Sequence, residues 1–344
     1  MAAKNTSRSV EVTIDLVAET AGVSRATVSR VINGSAKVSP ETEKAVRKAI
    51  KKYNFVPNTT ARRLAGGRSG LVALVLEESS EEFFLNPFWG LVVQGFTTAI
   101  SDAGMQPLLL IRPKTGSEDS LFESLRKAQV DGIAMFSWHR SVKSFERLLP
   151  KGVSVVFGGD LGGSDKFPYV DVDNVQGGYL ATKHLISQGC KKIVAITGDL
   201  KLQSGRDRFE GFEKAMSEAG REISQASILI GDYSTSKAEE VVREFLKKKM
   251  PFDGIFAGND LSAIGAINVL LQNKISVPKQ VKVIGFDNSP VATRSVPALS
   301  SIHQPTRELG AEVANMLVAA LSGSEVTRIM LPVKLVARES TAKN

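Results

Sequence analysis

The sequence lacks the features that cross-link a chain or place it in a membrane. Its 344 residues include one cysteine, Cys190, which excludes an intramolecular disulfide and a cysteine zinc site. The longest apolar runs, such as Leu71–Leu76, are far shorter than the roughly 18 residues that a membrane span needs. Residues 1–10 are polar and have no apolar stretch of the kind found in secretory signals. We therefore expect a cytoplasmic protein with no membrane partner.

Enzyme signatures are missing as well. The chain has no G-x-x-x-x-G-K-[ST], no H-E-x-x-H and no G-x-G-x-x-G motif. Its three histidines, His139, His184 and His303, lie far apart in the sequence, and we expect structural roles for them. The sequence therefore predicts no enzymatic activity, no cofactor and no metal site.

The chain does contain enough apolar sequence for large cores. Hydrophobic residues make up 42% and charged residues 23% of it, which is ordinary for a soluble globular protein. Disorder as the main state is thereby excluded. At about 150 residues per domain, the length suggests two or three domains.

The positive charge is concentrated in the first fifth of the chain. Residues 1–69 contain 13 Lys and Arg but five Asp and Glu, and so carry the whole formal net charge of +8. The rest of the chain is neutral. This distribution is typical of a nucleic-acid-binding module joined to a neutral domain, with a solvated basic tail as the alternative.

The basic segment has the caps and apolar spacing of a small helical bundle. Thr13 and Ser24 are suited to cap helices over about residues 14–20 and 25–32, with Gly22 between them. Ser39-Pro40-Glu41 marks a third helix start. Two short helices around a glycine turn, followed by a third, predict a helix-turn-helix domain.

The second of these helices has one apolar and one basic face. Its inner face consists of Val28, Val31 and Ile32, and its outer face of Arg25, Ala26, Ser29 and Arg30. An outward arginine on such a helix can pair with a guanine edge in the DNA major groove. An ordinary solvated face is the alternative from spacing alone.

The pattern changes after residue 69. The predicted strands are Leu71–Leu76, Gln106–Ile111, Gly132–Phe136, Val153–Phe157, Lys192–Ile196, Ser227–Ile230, Gly254–Ala257 and Val281–Phe286. Helical segments separate most of them, which predicts parallel βαβ units. The segment is too long for one ordinary doubly wound sheet, so we expect two α/β subdomains with a cleft between them.

The helical module carries a family resemblance. The matching residues are Thr13-Ile14, Val17-Ala18-Glu19, the run from Ala21 to Asn33, Val38-Ser39, Thr42, Phe55-Val56-Pro57-Asn58, Ala61 and Leu64. They resemble the signature of the lac repressor/galactose repressor family of bacterial transcription regulators, and the resemblance extends over essentially the whole chain. One departure is Leu16, where the family usually has an acid that closes a capping box with Thr13; Asp15 stands one residue early.

The resemblance implies roles in DNA binding for three groups of residues. Base readout is implied for Arg25, Ala26 and Arg30. Phosphate contacts are implied for Thr13, Ser24, Thr27, Ser29, Asn33, Ser39 and Thr42. A hinge helix over Asn58–Ala65 is implied to enter the minor groove with Asn58, Ala61 and Leu64, where Leu64 wedges between base pairs.

Residues after 69 resemble the family's periplasmic-binding-protein-like effector domain. The matching motifs are Asn86-Pro87-Phe88-Trp89, Asp173-Asn174 with Gly177-Gly178, Arg208 to Phe212, Gly231 to Ser234, Asn259-Asp260, Gly285 to Asn288, and Gln304-Pro305. Most of them follow predicted strands, where open α/β sheets bind ligands. The implied effector site contains Asn86, Phe88, Trp138, Asp173, Arg208, Tyr233, Asn259, Asp287 and Gln304. Asp260 is expected to cap the helix that follows it.

The expected organisation has four parts. They are a disordered tail (1–10), the helix-turn-helix domain (11–56), a hinge helix and linker (57–68), and an effector-binding and dimerisation domain (69–344). The last part should divide into subdomains of about 69–168 with 301–323, and 169–300 with 324–340.

The resulting hypothesis is a sequence-specific transcription regulator, and we expect a repressor. A small-molecule effector between the subdomains should control its affinity for a near-palindromic DNA operator. A sugar is the first choice of effector. Phe83-Phe84-Leu85 lies in the segment that leads into Asn86-Pro87-Phe88, and this segment is longer than is usual in the family and resembles that of members that respond to sugars. A purine, nucleoside or phosphorylated metabolite is the alternative. Without a leucine-heptad tail, a homodimer is expected.

Two questions stay open at this point. Sugar-responsive members of the family mostly release DNA when the effector binds, whereas purine-responsive members bind DNA more tightly. Whether the effector weakens or strengthens DNA binding here is therefore undecided. A solute-binding protein of the same sheet architecture is a remote alternative, but it would need a signal peptide and would not carry the basic module.

Overall fold

The computed structural model describes residues 12–32, 38–55, 68–113, 115–140, 142–162 and 166–342. The chain divides into two compact units, residues 1–69 and 70–344. This division agrees with the boundary expected from the charge distribution. The expected tail (1–10) and most of the expected hinge and linker (57–68) lie outside the described residues.

The first unit contains three helices in its described part. They are α1 (Ile14–Ala21), α2 (Arg25–Ile32) and α3 (Pro40–Tyr53). Gly22 ends α1 with φ of 66°, a left-handed conformation that glycine adopts without a steric penalty. The helices bury one small core, made of Val17, Ala18, Val28, Val31, Val46, Ala49 and Phe55. The predicted helix-turn-helix arrangement is confirmed.

The second unit is built of two α/β subdomains. The first contains β1 (Leu71–Glu77), α4 (Ser80–Leu85), α5 (Pro87–Asp102), β2 (Gln106–Arg112), α6 (Glu118–Ala128), β3 (Gly132–Phe136), α7 (Val142–Leu148), β4 (Ser154–Gly158) and β5 (Tyr169–Val172). The second contains α8 (Asn174–Ser187), β6 (Ile193–Ile196), α9 (Gln203–Glu218), β7 (Ile228–Leu229), α10 (Thr235–Lys247), β8 (Gly254–Ala257), α11 (Asp260–Gln272), β9 (Lys282–Asp287), α12 (Pro290–Arg294) and β10 (Ser300–His303). The remaining elements are α13 (Thr306–Leu321), β11 (Ile329–Leu331) and β12 (Lys334–Val336).

Each subdomain has one six-stranded sheet. The strand orders are β11-β5-β4-β3-β1-β2 and β12-β10-β9-β8-β6-β7. All neighbouring strands in these sheets run parallel except β10 and β12. Central strands such as β3 and β8 are buried along their whole length, as expected of a parallel sheet covered by helices on both faces.

The chain passes between the subdomains three times, after β5, after β10 and between β11 and β12. The expected boundaries are therefore wrong at three places. Residues 169–172 pair with β4 in the first sheet, 300–303 pair with β9 in the second, and 329–331 return to the first. The strands concerned have three or four residues, too short for an apolar run to reveal them in the sequence.

Close helix packing around the second sheet depends on glycine. A Cβ atom at Gly178 of α8 would overlap the backbone of Arg208 in α9, and one at Gly211 would overlap the backbone of Val175. The absence of both Cβ atoms lets α8 and α9 approach closely, and this holds Arg208 in a fixed place. No helix within the described residues is long and apolar enough to cross a bilayer.

Candidate functional site

The predicted outer face of helix α2 is largely exposed to solvent. Arg25, Ala26 and Arg30 are exposed, while Val28 and Val31 are buried on the opposite side. Both arginine side chains are therefore accessible from solvent, as the predicted role in base readout requires. Arg25 Nη1 lies 3.9 Å from the carboxylate of Asp15, and both side chains are more than half exposed.

The hydroxyl residues expected at phosphates lie mainly at helix starts. Thr13, Ser24 and Ser39 each accept a hydrogen bond from the amide three residues later, at 3.3, 3.2 and 3.3 Å. Thr27 and Thr42 pair through their hydroxyls with Ser24 and Ser39, each at 2.9 Å. Helix N-termini, where the helix dipole is positive, are suited to phosphate.

The structure describes only some of the other residues that are expected to contact DNA. Ser29 is half-buried on α2. Asn33, Asn58, Ala61 and Leu64 lie outside the described residues. Thr13 caps α1 although the acid usual at the position of Leu16 is missing, because the cap uses the amide of Leu16 and not its side chain.

The second unit contains a cleft between the two subdomains, whose empty space is about 1140 Å³ when open solvent at the mouth is included. Its walls come from segments that follow the carboxyl ends of strands in both sheets, as is usual for open α/β folds. Eight of the nine residues expected at the effector line it, namely Asn86, Phe88, Trp138, Arg208, Tyr233, Asn259, Asp287 and Gln304. The family resemblance thus selected residues that the fold brings together.

Asp173 is the exception. It is exposed, does not line the cleft, and caps α8 by accepting the amide of Gln176 at 2.9 Å. Asp171, two residues earlier, lines the cleft instead. Asp171 lies within β5, whereas Asp173 lies beyond the last residue of the strand and caps α8, so the alternation of strand side chains no longer applies to it and the two carboxylates have different surroundings.

Arg208 is held in the cleft by hydrogen bonds, an ion pair and a ring contact. Its Nε donates to Asn174 Oδ1 at 2.8 Å and its Nη1 donates to the carbonyl of Gly258 at 2.7 Å. Nη1 also lies 3.6 Å from Asp287 Oδ1, and the guanidinium lies 3.7 Å from the centre of the Phe286 ring. These contacts fix a buried positive charge at the base of the cleft.

Asp287 ends β9 with a φ of 105°, which is unusual for a residue other than glycine. The Nε2 atom of Gln304 donates to its Oδ1 at 2.5 Å. Burial and the neighbouring carboxylate of Asp260 raise the pKa of Asp287, and they outweigh the opposing effects of Arg208 and Gln304. The site therefore holds a carboxyl group that binds its proton more tightly than usual.

Two asparagines combine a structural role with a place in the cleft. Asn86 caps α5 by accepting the amide of Phe88 at 3.1 Å. Asn259 caps α11 by accepting the amide of Ser262, and its Nδ2 donates to the carbonyl of Tyr233, both at 2.9 Å. These bonds hold the loops at the mouth in place.

Asp260 does not cap α11, contrary to expectation. Its buried carboxylate accepts from the amide and hydroxyl of Ser289 at 2.7 and 2.9 Å and from the hydroxyl of Ser301 at 2.6 Å. It therefore ties α11 to the loop after β9 and to β10. Burial raises the pKa of Asp260 to about 6.

Aromatic side chains provide the apolar surface of the cleft. Phe88, Trp89 and Trp138 line it from the first subdomain, and Tyr233 lines it from the second. The Tyr233 hydroxyl pairs with Ser204 at 3.1 Å. Flat apolar rings among carboxylates and amides suit a ligand that has both C–H faces and hydroxyl groups.

Sequence reasoning missed several charged residues of the cleft. Asp160, Asp171, His139 and Arg140 line it, and each lies within four residues of the carboxyl end of a strand of the first sheet. Asp171 accepts from the amides of Asp160 and Val172 at 2.9 and 2.7 Å, and burial raises its pKa to about 6. Their position at strand ends was a usable signal. Among the described residues, no group of acids, histidines or cysteine is arranged to hold a metal ion.

Comparison with known proteins agrees with this architecture. Residues 13–58 match the family described as bacterial regulatory proteins of the lacI family, and residues 182–341 match a periplasmic binding protein-like domain. The HTH-type transcriptional regulator CelR of Thermobifida fusca is 38% identical over 333 residues, which cover 95% of this chain and 98% of CelR.

Solved structures give the same result. A CelR–cellobiose complex has a TM-score of 0.75 at 37% identity and covers 96% of this chain and 99% of its own. The lac repressor dimer bound to operator and the anti-inducer ONPF has a TM-score of 0.83 at 25% identity, with the same coverage. By its sequence, its two-unit architecture and its relatives over nearly the full length, the chain belongs to the lacI family of DNA-binding transcription regulators.

Proposed function

We propose that this regulator binds an uncharged sugar in the cleft and that sugar binding controls the affinity of a homodimer for a near-palindromic operator. The observation that carries the proposal is the cleft itself. It combines aromatic walls with carboxyl and amide groups, and every arginine that lines it already donates hydrogen bonds to protein acceptors.

The arginines support a neutral ligand over a phosphorylated one. Arg208 donates to Asn174 and to a carbonyl, and Arg140 donates to Glu77 and to the carbonyl of Gly116, both at 2.7 Å. Arg206 donates to the carbonyls of residues 200 and 201 and to Gln203. A phosphate would have to compete with these acceptors, whereas sugar hydroxyls can donate to the carboxyl oxygens that line the cleft.

The relatives support the same ligand class. The solved CelR complex contains cellobiose, a neutral disaccharide. The aromatic residues here, Phe88, Trp89, Trp138 and Tyr233, offer ring surfaces of the kind that pack against the apolar faces of sugars. A purine or a phosphorylated metabolite is the alternative outcome.

DNA recognition is proposed to rest on Arg25, Ala26 and Arg30 at base edges and on the hydroxyl and helix-start groups at phosphates. The lac repressor structure shows a dimer on its operator. Two copies of one recognition helix match two half-sites of a near-palindrome. Asn33, Asn58, Ala61 and Leu64 keep the roles that the family resemblance implies.

The proposed mechanism couples the two sites through subdomain closure. The effector contacts residues of both subdomains, so it favours one relative orientation of them. In a dimer, a change of that orientation alters the spacing of the two DNA-binding modules. Coupling between sites of this kind is typically about 1–3 kcal/mol.

The test is a ligand titration followed by tryptophan fluorescence, because both tryptophans of the chain line the cleft. Cellobiose, glucose, glucose 6-phosphate and guanine are titrated into wild type, Tyr233→Ala and the control Asp173→Asn. We expect cellobiose or glucose to bind wild type and the control equally, and Tyr233→Ala at least tenfold more weakly. Binding of the phosphate or the purine alone would refute the proposal.

The DNA half of the proposal is tested separately. A duplex selected from random near-palindromes is titrated with and without the sugar that binds. A sugar-dependent change of operator affinity, in either direction, supports the proposal. An operator affinity that saturating sugar leaves unchanged would contradict it.

A further inference from the structure

A buried cluster of charges lies at the edge of the cleft, centred on Glu77. This residue ends β1, and its side chain is fully buried. Arg140 Nη1 donates to its Oε1 at 2.7 Å, and Arg112 Nε lies 3.9 Å from the same atom. The amide of His139 donates to its Oε2 at 3.2 Å, and His139 Nδ1 lies 3.6 Å from that oxygen.

The other nitrogen of His139 points to the second subdomain. Its Nε2 lies 3.4 Å from Oδ2 of Asp199, in the loop after β6. The side chains of His139 and Asp199 are only 8% and 18% exposed. The imidazole is therefore enclosed between Glu77 of one subdomain and Asp199 of the other.

The charges around the ring favour its cationic form. The ring itself lies between the carboxylates of Glu77 and Asp199. Arg112 and Arg140 lie against Glu77, and Arg140 Nε also lies 3.5 Å from Glu118. A cation between two carboxylates at these distances is attracted to both, and a partly buried site screens that attraction less than water does.

We propose that His139 is a positioning residue that in its protonated form holds the two subdomains together across the cleft, by bridging Glu77 and Asp199. Opening the cleft separates the ring from Asp199, because the two residues belong to different subdomains. Loss of the proton removes the charge from both contacts. The proposal rests on the geometry of the cleft and not on the identity of the effector.

The expected consequence is a closure equilibrium that depends on pH. Histidine loses its proton near pH 6.5 in the absence of perturbation, so closure should weaken as the pH rises from about 5.5 to 8. Other groups also face the cleft. Burial raises the pKa values of Asp171 and Asp287, and their ionisation contributes to the pH response, so the His139 contribution must be isolated by mutation.

The experiment measures the distance between the subdomains without a ligand. Spin labels are attached at Lys127→Cys on α6 and Lys248→Cys after α10, two exposed positions, in full-length protein diluted with unlabelled chain. Cys190 stays in place, because burial keeps its thiol inaccessible and raises its pKa to about 11. Distance distributions are recorded at pH 5.5 and pH 8 for wild type, His139→Gln, Asp199→Asn and the double variant.

We expect the closed-to-open ratio of wild type to fall by about fivefold or more between pH 5.5 and pH 8, the lower end of typical coupling between sites. His139→Gln and Asp199→Asn should each lower the ratio at pH 5.5 and flatten its pH dependence. The closed-to-open ratio of the double variant should equal that of either single variant, because each single substitution already removes the same His139–Asp199 contact.

Two outcomes would overturn the proposal. One is a distribution that His139→Gln leaves unchanged at pH 5.5. The other is an equal effect of His184→Gln, the control, whose histidine bonds Thr341 within the second subdomain at 2.7 Å. Asp199→Asn tests the same contact if His139→Gln fails to fold, because Asp199 is the more exposed partner and its replacement disturbs the interior less. Failure of cellobiose to bind would contradict the proposed effector but would not affect this test, because the distances are measured without a ligand.

Discussion

Replacement of Asp287 by Asn should stabilise the second unit at neutral pH and leave its stability unchanged in acid. Asp287 is 7% exposed, and its carboxyl lies among Arg208, Gln304 and the carboxylate of Asp260. Burial and Asp260 raise the pKa of Asp287 in the folded chain above its unfolded value of about 3.9. Folding therefore favours the protonated form, which asparagine imitates in shape and lack of charge.

The direction of the pH dependence follows from that shift. Stability from the protonated carboxyl is fully present below about pH 4 and is lost as the pH rises through the folded-state pKa. Each pH unit across this window removes about 1.4 kcal/mol. Arg208, 3.6 Å away, stabilises the ionised carboxylate and so limits the size of the pKa shift. We therefore expect a net gain for the variant of about 1–3 kcal/mol at pH 7.5.

The backbone conformation at residue 287 is compatible with asparagine. Asp287 has a φ of 105°, and asparagine is one of the few residues besides glycine that tolerates positive φ. The side-chain oxygen of asparagine can still accept the bond from Gln304. A carboxyl group that destabilises the folded chain at a ligand cleft is a common cost of function.

The assay is unfolding by heat or urea at pH 4.5 and pH 7.5, followed by tryptophan fluorescence. Trp89 and Trp138 are the only tryptophans and both lie in the second unit, so the signal reports that unit. Each kcal/mol should move the midpoint by roughly 2–4 °C. Asp102→Asn, which removes an exposed carboxylate, is the control. A variant that is less stable than wild type at pH 7.5 would show that the ion pair with Arg208 outweighs burial, and the reasoning would be wrong.

Two further predictions concern recognition and packing. Arg30→Ala should lower the preference for operator over random DNA by about 1–3 kcal/mol, because an exposed arginine on α2 can make a bidentate base contact; a titration of both DNAs checks it, and an unchanged ratio would remove Arg30 from base readout. Gly178→Ala should destabilise the second unit by about 1–3 kcal/mol or more, since its Cβ would overlap the backbone of Arg208. Gly90→Ala, in open space on α5, should instead be neutral or stabilise by about 0.5–1 kcal/mol, and urea unfolding that ranks the two variants equally would contradict the packing argument.

The local sequence determined the fold class, and the family resemblance supplied most of the candidate site. Caps at Thr13, Ser24 and Ser39 and a glycine between two short helices are local signals, and each acts over three or four residues. Apolar runs separated by amphipathic segments likewise specify βαβ units without knowledge of distant contacts. Because ligands bind at the carboxyl ends of parallel strands, residues that follow such runs could be predicted to line a cleft.

Tertiary structure decided what depends on contacts between distant segments. Short strands such as β5 and β11 exist because a neighbouring strand is present to pair with them, so the sequence alone misplaced the subdomain boundaries. The same applies to the choice between Asp171 and Asp173, which the end of β5 settles. The contact of His139 with Asp199 joins residues 60 positions apart in different subdomains. Periodicity and capping describe only neighbours along the chain, whereas the electrostatics of a cleft depend on which strand ends the fold brings face to face.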